Sequence, residues 1–147
     1  MVRNNTPFVP QAAVLRPRFV VACAQFEFGA DLEHNRRVIL AQIDAAARKH
    51  RARLVVFPET CLTGYAPIHW KKGLQELNFD FVARATQDVA AAARRRRIAV
   101  VLGTTVRERG KFFNTALTFG PNGRLAQRYD KIHMAGAFGK GGDFDFF

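Results

Sequence analysis

Two short stretches hold the side chains whose types and spacing suit chemistry. LVVFPETCLTGY, residues 54–65, is an apolar run that breaks at Pro58 and delivers a carboxylate, Glu59, two positions before a thiol, Cys61. A carboxylate at the end of a buried strand stands where open α/β sheets keep their ligand crevices. Partial burial there would raise the acid's pKa and suit it to proton transfer near neutrality. The plainer reading is a carboxylate that caps the next turn or pairs with an arginine. RYDKIHM, residues 128–134, sets Lys131 among short apolar and aromatic neighbours. Such a lysine is either a fixed cation for a developing oxyanion or an ordinary solvated charge. His133 reads more simply as a hydrogen-bonded structural residue than as a ligand. The four His and two Cys show no CxxC or HExxH spacing, and no GxxxxGK or GxGxxG loop occurs.

The elements that must position these groups alternate between strand and helix. RFVVACAQF, residues 18–26, is β-branched and apolar with little alternation, as for a strand buried on both faces. Asp31 then caps a helix in which Leu32, Ile39, Ile43 and Ala46 face inward, while Glu33, Arg36, Arg37 and Asp44 face out. LVVF at 54–57 is a short buried strand. A loop from Thr60 to about Asn78 follows, holding Gly64, Pro67 and Gly73, in which Trp70 or His69 either meets a ligand or packs. Val82, Ala85, Val89 and Ala92 mark a second amphipathic helix, and IAVVL at 98–102 a third strand. FFNTALTF and RLAQRY, joined by GPNG, form a hairpin. The class is α/β, with helices on one face of a mixed sheet. FGKGGDFDFF carries no period of either kind.

Composition bounds the partners. At 147 residues the chain fits one domain, and no segment approaches the roughly 20 apolar residues of a membrane span. The first residues lack the apolar core of a secretory signal, and two cysteines make no disulfide framework, so a cytoplasmic protein with free thiols is expected. The formal net charge is +11. Arg94 to Arg97 form the densest basic run, yet cations in a last helical turn complement the helix dipole. With no zinc-finger, RNP-like or GXXG signal, nucleic acid is not expected as a partner. Scattered arginines in the fold would agree with that, whereas one continuous patch would reopen the question.

Together, VVACAQF (20–26), VVFPETCLTGY (55–65) and NTALTFGPNGRLAQRYDKIHM (114–134) resemble the carbon-nitrogen hydrolases of the nitrilase superfamily, in the family's order. The resemblance implies the N-terminal half of a nitrilase-like αββα sandwich and hydrolysis of nonpeptide amides, carbamoyl compounds or nitriles by a Glu-Lys-Cys triad. Glu59 matches its general base and Lys131 the cation that stabilises the tetrahedral intermediate. No metal or organic cofactor is implied. The implied partners are a small amide or nitrile substrate and, as an assembly left open, a homo-oligomer. The implied division is an N-terminal extension at 1–17, a partial hydrolase domain at 18–134 and an atypical Gly/Phe tail at 135–147.

The chain departs from the pattern where the nucleophile belongs. The family places its cysteine on a strand well beyond the lysine motif, and this sequence ends at Phe147. Cys61 is a neighbour of Glu59 in a single turn and reads as a buried structural thiol; Cys23, inside the first strand, reads as core. The family also continues past the lysine with a further acidic residue that positions substrate. Here Asp143 and Asp145 are the acids available, and neither is assigned that role. The expectation is a fragment from a truncated or frameshifted reading frame, inactive alone, with an uncovered sheet face that favours aggregation or oligomerisation. The alternative is a noncatalytic binding or assembly module built on the same fold.

Overall fold

A computed structural model of the chain describes residues 19–136, 139–140 and 142–147; the N-terminal extension expected at 1–17 lies outside them. The apolar runs become one five-stranded sheet in the order β1-β2-β3-β4-β5. β1 (Val21–Cys23), β2 (Leu54–Val56) and the start of β3 (Ala99–Glu108) run parallel, and β4 (Lys111–Phe119) and β5 (Leu125–Asp130) continue antiparallel.

Two helices cover one face. α1 (Leu32–Arg48) begins at Asp31, whose carboxylate accepts the His34 N–H at 2.9 Å, and it buries Ile39, Ile43 and Ala46 as its period requires. α2 is a single turn, Ala66–His69, inside the segment expected as loop. α3 (Phe79–Arg96) is capped by Asn78 and buries Val82, Ala85, Val89 and Ala92. These side chains meet Val55, Val100, Leu102, Leu117 and Phe119 in one apolar core. Packing of that core supplies most of the stability of helices whose polar faces would leave them marginal alone.

The other sheet face carries the alternate residues of the ladder, among them Val21, Leu54, Val56, Val101 and Tyr129, and no helix among the described residues covers it. Two expectations fail here for one reason. The first strand is three residues long rather than spanning 18–26, and Val21 is 46% exposed. Cys23 is likewise exposed, not core. An edge strand with one pairing neighbour and one bare face cannot bury both sides of its side-chain row. β3 also runs six residues beyond IAVVL and folds back through Arg109 and Gly110, so there are two hairpins. The expected turn at GPNG closes with Gly123 N–H to Gly120 C=O at 2.8 Å.

Candidate active site

Glu59 sits just past β2, at the carboxyl edge of the parallel strands. The Phe57 N–H bonds to the Val101 carbonyl at 3.0 Å, and Thr60 then adopts φ +50, a left-handed conformation that turns the chain immediately after the carboxylate. For a non-glycine residue that conformation costs about 1–2 kcal/mol. The loop withstands the cost because it is fastened throughout. Asn35 of α1, fully buried, donates to the carbonyls of Gly29 and Leu62 at 2.8 and 3.2 Å. The Thr63 hydroxyl lies 3.0 Å from that of Thr105 on β3. His69 Nδ1 accepts the Tyr65 N–H at 2.9 Å, and Trp70 Nε1 donates to the Thr63 carbonyl at 2.7 Å. Both side chains therefore fasten the loop.

Gly103 of β3 is where strand and loop come closest. A Cβ there would fall 2.1 Å from the Pro58 oxygen, 2.7 Å from Thr60 N and 2.9 Å from Glu59 Cα. Only a residue without a side chain lets the loop lie against the sheet at this point.

Lys131 arrives from β5. Its N–H bonds to the Asn114 carbonyl at 2.8 Å, while the Asn114 amide donates a short hydrogen bond to Glu59 Oε1. Lys131 Nζ reaches the same Oε1 at 2.9 Å, so the two sequence-selected residues form an ion pair. Both donors converge on one oxygen; among the described residues Oε2 accepts no hydrogen bond. The Glu59 side chain remains 48% exposed, so its position is set by these donors more than by enclosure.

Asp143, to which the sequence assigned no role, completes the group. Its side chain is fully buried, and Oδ2 accepts Lys131 Nζ at 2.6 Å and the Ala135 N–H at 3.1 Å. Oδ1 accepts the Tyr65 hydroxyl at 3.1 Å. Burial opposes the Lys131 charge, but the bonds to Asp143 and Glu59 outweigh it and raise the ammonium's pKa above the ordinary lysine value. Burial likewise opposes the Asp143 charge, and Lys131, the Ala135 N–H and Tyr65 reverse that and lower it. The lysine is thus a permanent cation shared by two carboxylates, suited to holding negative charge rather than to shuttling a proton.

These groups border a cavity of about 410 Å³ on the bare sheet face, floored by Val101, Gly103 and Ala116 and walled by Tyr129 and His133. That volume lies in the range of small-molecule sites. His133 is exposed on the wall and makes no hydrogen bond among the described residues, unlike the structural residue expected. Neither cysteine lines the cavity. Cys61 is fully buried with Sγ on the Gly103 carbonyl at 3.5 Å, and burial pushes its thiol up to about 12. A thiol so enclosed and so weakly acidic is a packing group. Among the described residues no cluster of three or more His, Cys, Asp or Glu could hold a metal ion.

Residues 20–145 match the family model described as carbon-nitrogen hydrolase. Over 81 residues, 55% of this chain and 28% of the relative, the sequence is 33% identical to an (R)-stereoselective amidase from a Pseudomonas species. The structure is similar to the NitN amidase from Nesterenkonia sp. AN1, with a TM-score of 0.69 and 26% identity over 82% of this chain and 46% of that one. Other structures of the Nesterenkonia amidase hold butyramide or covalent additions at its active-site cysteine. A carbon-nitrogen hydrolase from Helicobacter pylori G27, 18% identical, shares the fold with a TM-score of 0.71 over 88% of this chain and 44% of that one. The chain spans less than half the length of these solved relatives.

Proposed function

The chain belongs to the carbon-nitrogen hydrolase family, and on that footing we propose that its cavity is the acid-base half of a site that hydrolyses small nonpeptide amides or nitriles. The observation that carries this reading is Lys131 Nζ held between Glu59 and Asp143 beside a small-molecule cavity. Glu59 takes the proton of an attacking thiol through its unengaged Oε2. The thiolate adds to the carbonyl or nitrile carbon, and Lys131 faces the negative charge that develops there. From an amide, Glu59 returns the proton to the leaving nitrogen and ammonia departs; from a nitrile, the thioimidate first takes up a water and then loses ammonia. In both cases a water activated by the same carboxylate hydrolyses the resulting thioester.

The nucleophile is the missing part. Since Cys61 is sealed in the core and Cys23 lies outside the cavity, we assign the thiol to residues this chain does not contain, seated over the bare sheet face. In this reading the chain alone binds a short amide but does not turn it over.

Ammonia release from butyramide and short aliphatic nitriles tests the proposal. The chain alone should release none. A longer chain carrying a cysteine-bearing second half should be active, lose activity in Glu59→Gln and Lys131→Met, and keep it in Cys61→Ala. Activity of the short chain that disappears in Cys61→Ala would overturn the assignment. Butyramide binding without turnover in the longer chain would favour a noncatalytic binding module.

A further inference from the structure

The edge of the sheet opposite the cavity gathers cations that the sequence keeps far apart. Arg48, Lys49, Arg51 and Arg53 lie where α1 ends and β2 begins, Arg94 to Arg97 where α3 ends and β3 begins, and Arg124 in the turn before β5. The three segments adjoin. The Ala99 N–H bonds to the Arg53 carbonyl at 3.0 Å, and Arg96 pairs with Asp44 of α1. A Cβ on Gly123 would lie 2.9 Å from Arg94 Cβ, so the last turn packs against α3. All nine but Arg96 are exposed.

Helix dipoles absorb little of this charge. Each C-terminus carries roughly half a negative charge. Asp44 pairs with Arg48 and Arg96, and the sequence has no other acid in residues 45–58, 89–107 or 109–129. Two helix ends and one aspartate leave most of the nine cations unmatched, more than dipole complementarity explains.

We propose that this edge binds the phosphate backbone of duplex nucleic acid without reading its base sequence. Eight of the nine cations are arginines, whose forked donors match phosphate oxygens. The exposed segments 48–53, 94–98 and 120–124 contain no Phe, Tyr or Trp to stack on a base. Their aliphatic residues Ala52 and Ile98 are buried. Phe19 and Val20 beside Arg53 and Leu125 beside Arg124 are exposed, but they stand at opposite edges of the sheet, before β1 and on β5, and form no continuous apolar face of the kind that enters a bilayer. The proposal is independent of the hydrolase reading, since the edge and the cavity lie at opposite ends of the strands.

Fluorescence anisotropy with two labelled duplexes of unrelated sequence, each about 20 base pairs, tests it between about 50 and 200 mM salt. Both duplexes should bind equally, with log K falling linearly against log salt. Replacing Arg51, Arg53, Arg94 and Arg124 by Gln should flatten the slope by roughly 0.9 for each arginine removed. Replacing Lys71, Lys72, Arg84 and Arg109 by Gln makes the same change in net charge elsewhere and should leave the slope as in wild type. No binding at the lowest salt would overturn the proposal, as would equal losses in both variants. Edge-dependent binding to phosphatidylserine vesicles in place of the duplex would also overturn it.

Discussion

Substituting Gly103 by Ala tests whether the contact between strand and loop sets the position of Glu59. The new methyl would begin 2.1 Å from the Pro58 oxygen, against an ordinary contact of 3.4 Å or more. The obstructing atoms are backbone, so the loop must retreat by more than about 1 Å, which the 2.9 Å bond from Lys131 to Glu59 cannot follow without lengthening past a hydrogen bond. Overpacking costs about 1–3 kcal/mol, against about 0.5–1 kcal/mol gained from replacing Gly in a strand. A net loss of about 1–2 kcal/mol corresponds to a Tm lower by roughly 2–8 °C for a chain of this size. Calorimetry reads the Tm. Measuring Glu59→Gln in both backgrounds gives the coupling, and the carboxylate's removal should cost less once the loop has moved. A variant with wild-type Tm, or a Glu59→Gln effect unchanged by Gly103→Ala, refutes the reasoning.

Asp143→Asn should destabilise the chain by about 2 kcal/mol, because it leaves Lys131 short of one of two anions in a partly buried site. Asp143 has a folded pKa below its unfolded value, so its contribution is present above the unfolded value and lost as pH falls through the folded one. Denaturant midpoints should fall less steeply below about pH 4 in Asp143→Asn than in wild type. In the native chain a thiol reagent at pH 8 should label Cys23 and spare Cys61 until denaturant is added. Asn35→Leu should cost about 2–3 kcal/mol in urea unfolding, since the carbonyls of Gly29 and Leu62 lose their buried donor. The bare sheet face, on which Tyr129 is 50% exposed, should make the isolated chain self-associate, and a monodisperse monomer in light scattering would contradict that.

The helices were legible because their apolar residues recur at the helical period, and Asp31 marked the start of the first; Asn78, which caps α3, read only as the end of a loop. Glu59 and Lys131 could be chosen because their flanking runs carry strand and family signals. The second hairpin was not, since VRERGK is charged and gives no alternation; its strand is held by the neighbouring ladder, not by burial. Asp143 was missed for a related reason. It occupies one 3-10 turn in a segment with no period, and its partners Tyr65 and Lys131 lie elsewhere in the chain. The basic edge escaped because adjacency of helix ends and turns is a property of the sheet order. Cys23 was misplaced because apolar composition does not reveal which strand ends up at an edge.

The hydrogen bonds of the site bind residues 55, 72 and 78 positions apart along the chain. The bonds from Lys131 and Ala135 to Asp143 span only 12 and 8 positions, so loop-closure entropy falls on joining that short segment to Glu59, Asn114 and Tyr65. The arrangement of Glu59, Lys131 and Asp143 is therefore a late event in folding and an early casualty of unfolding.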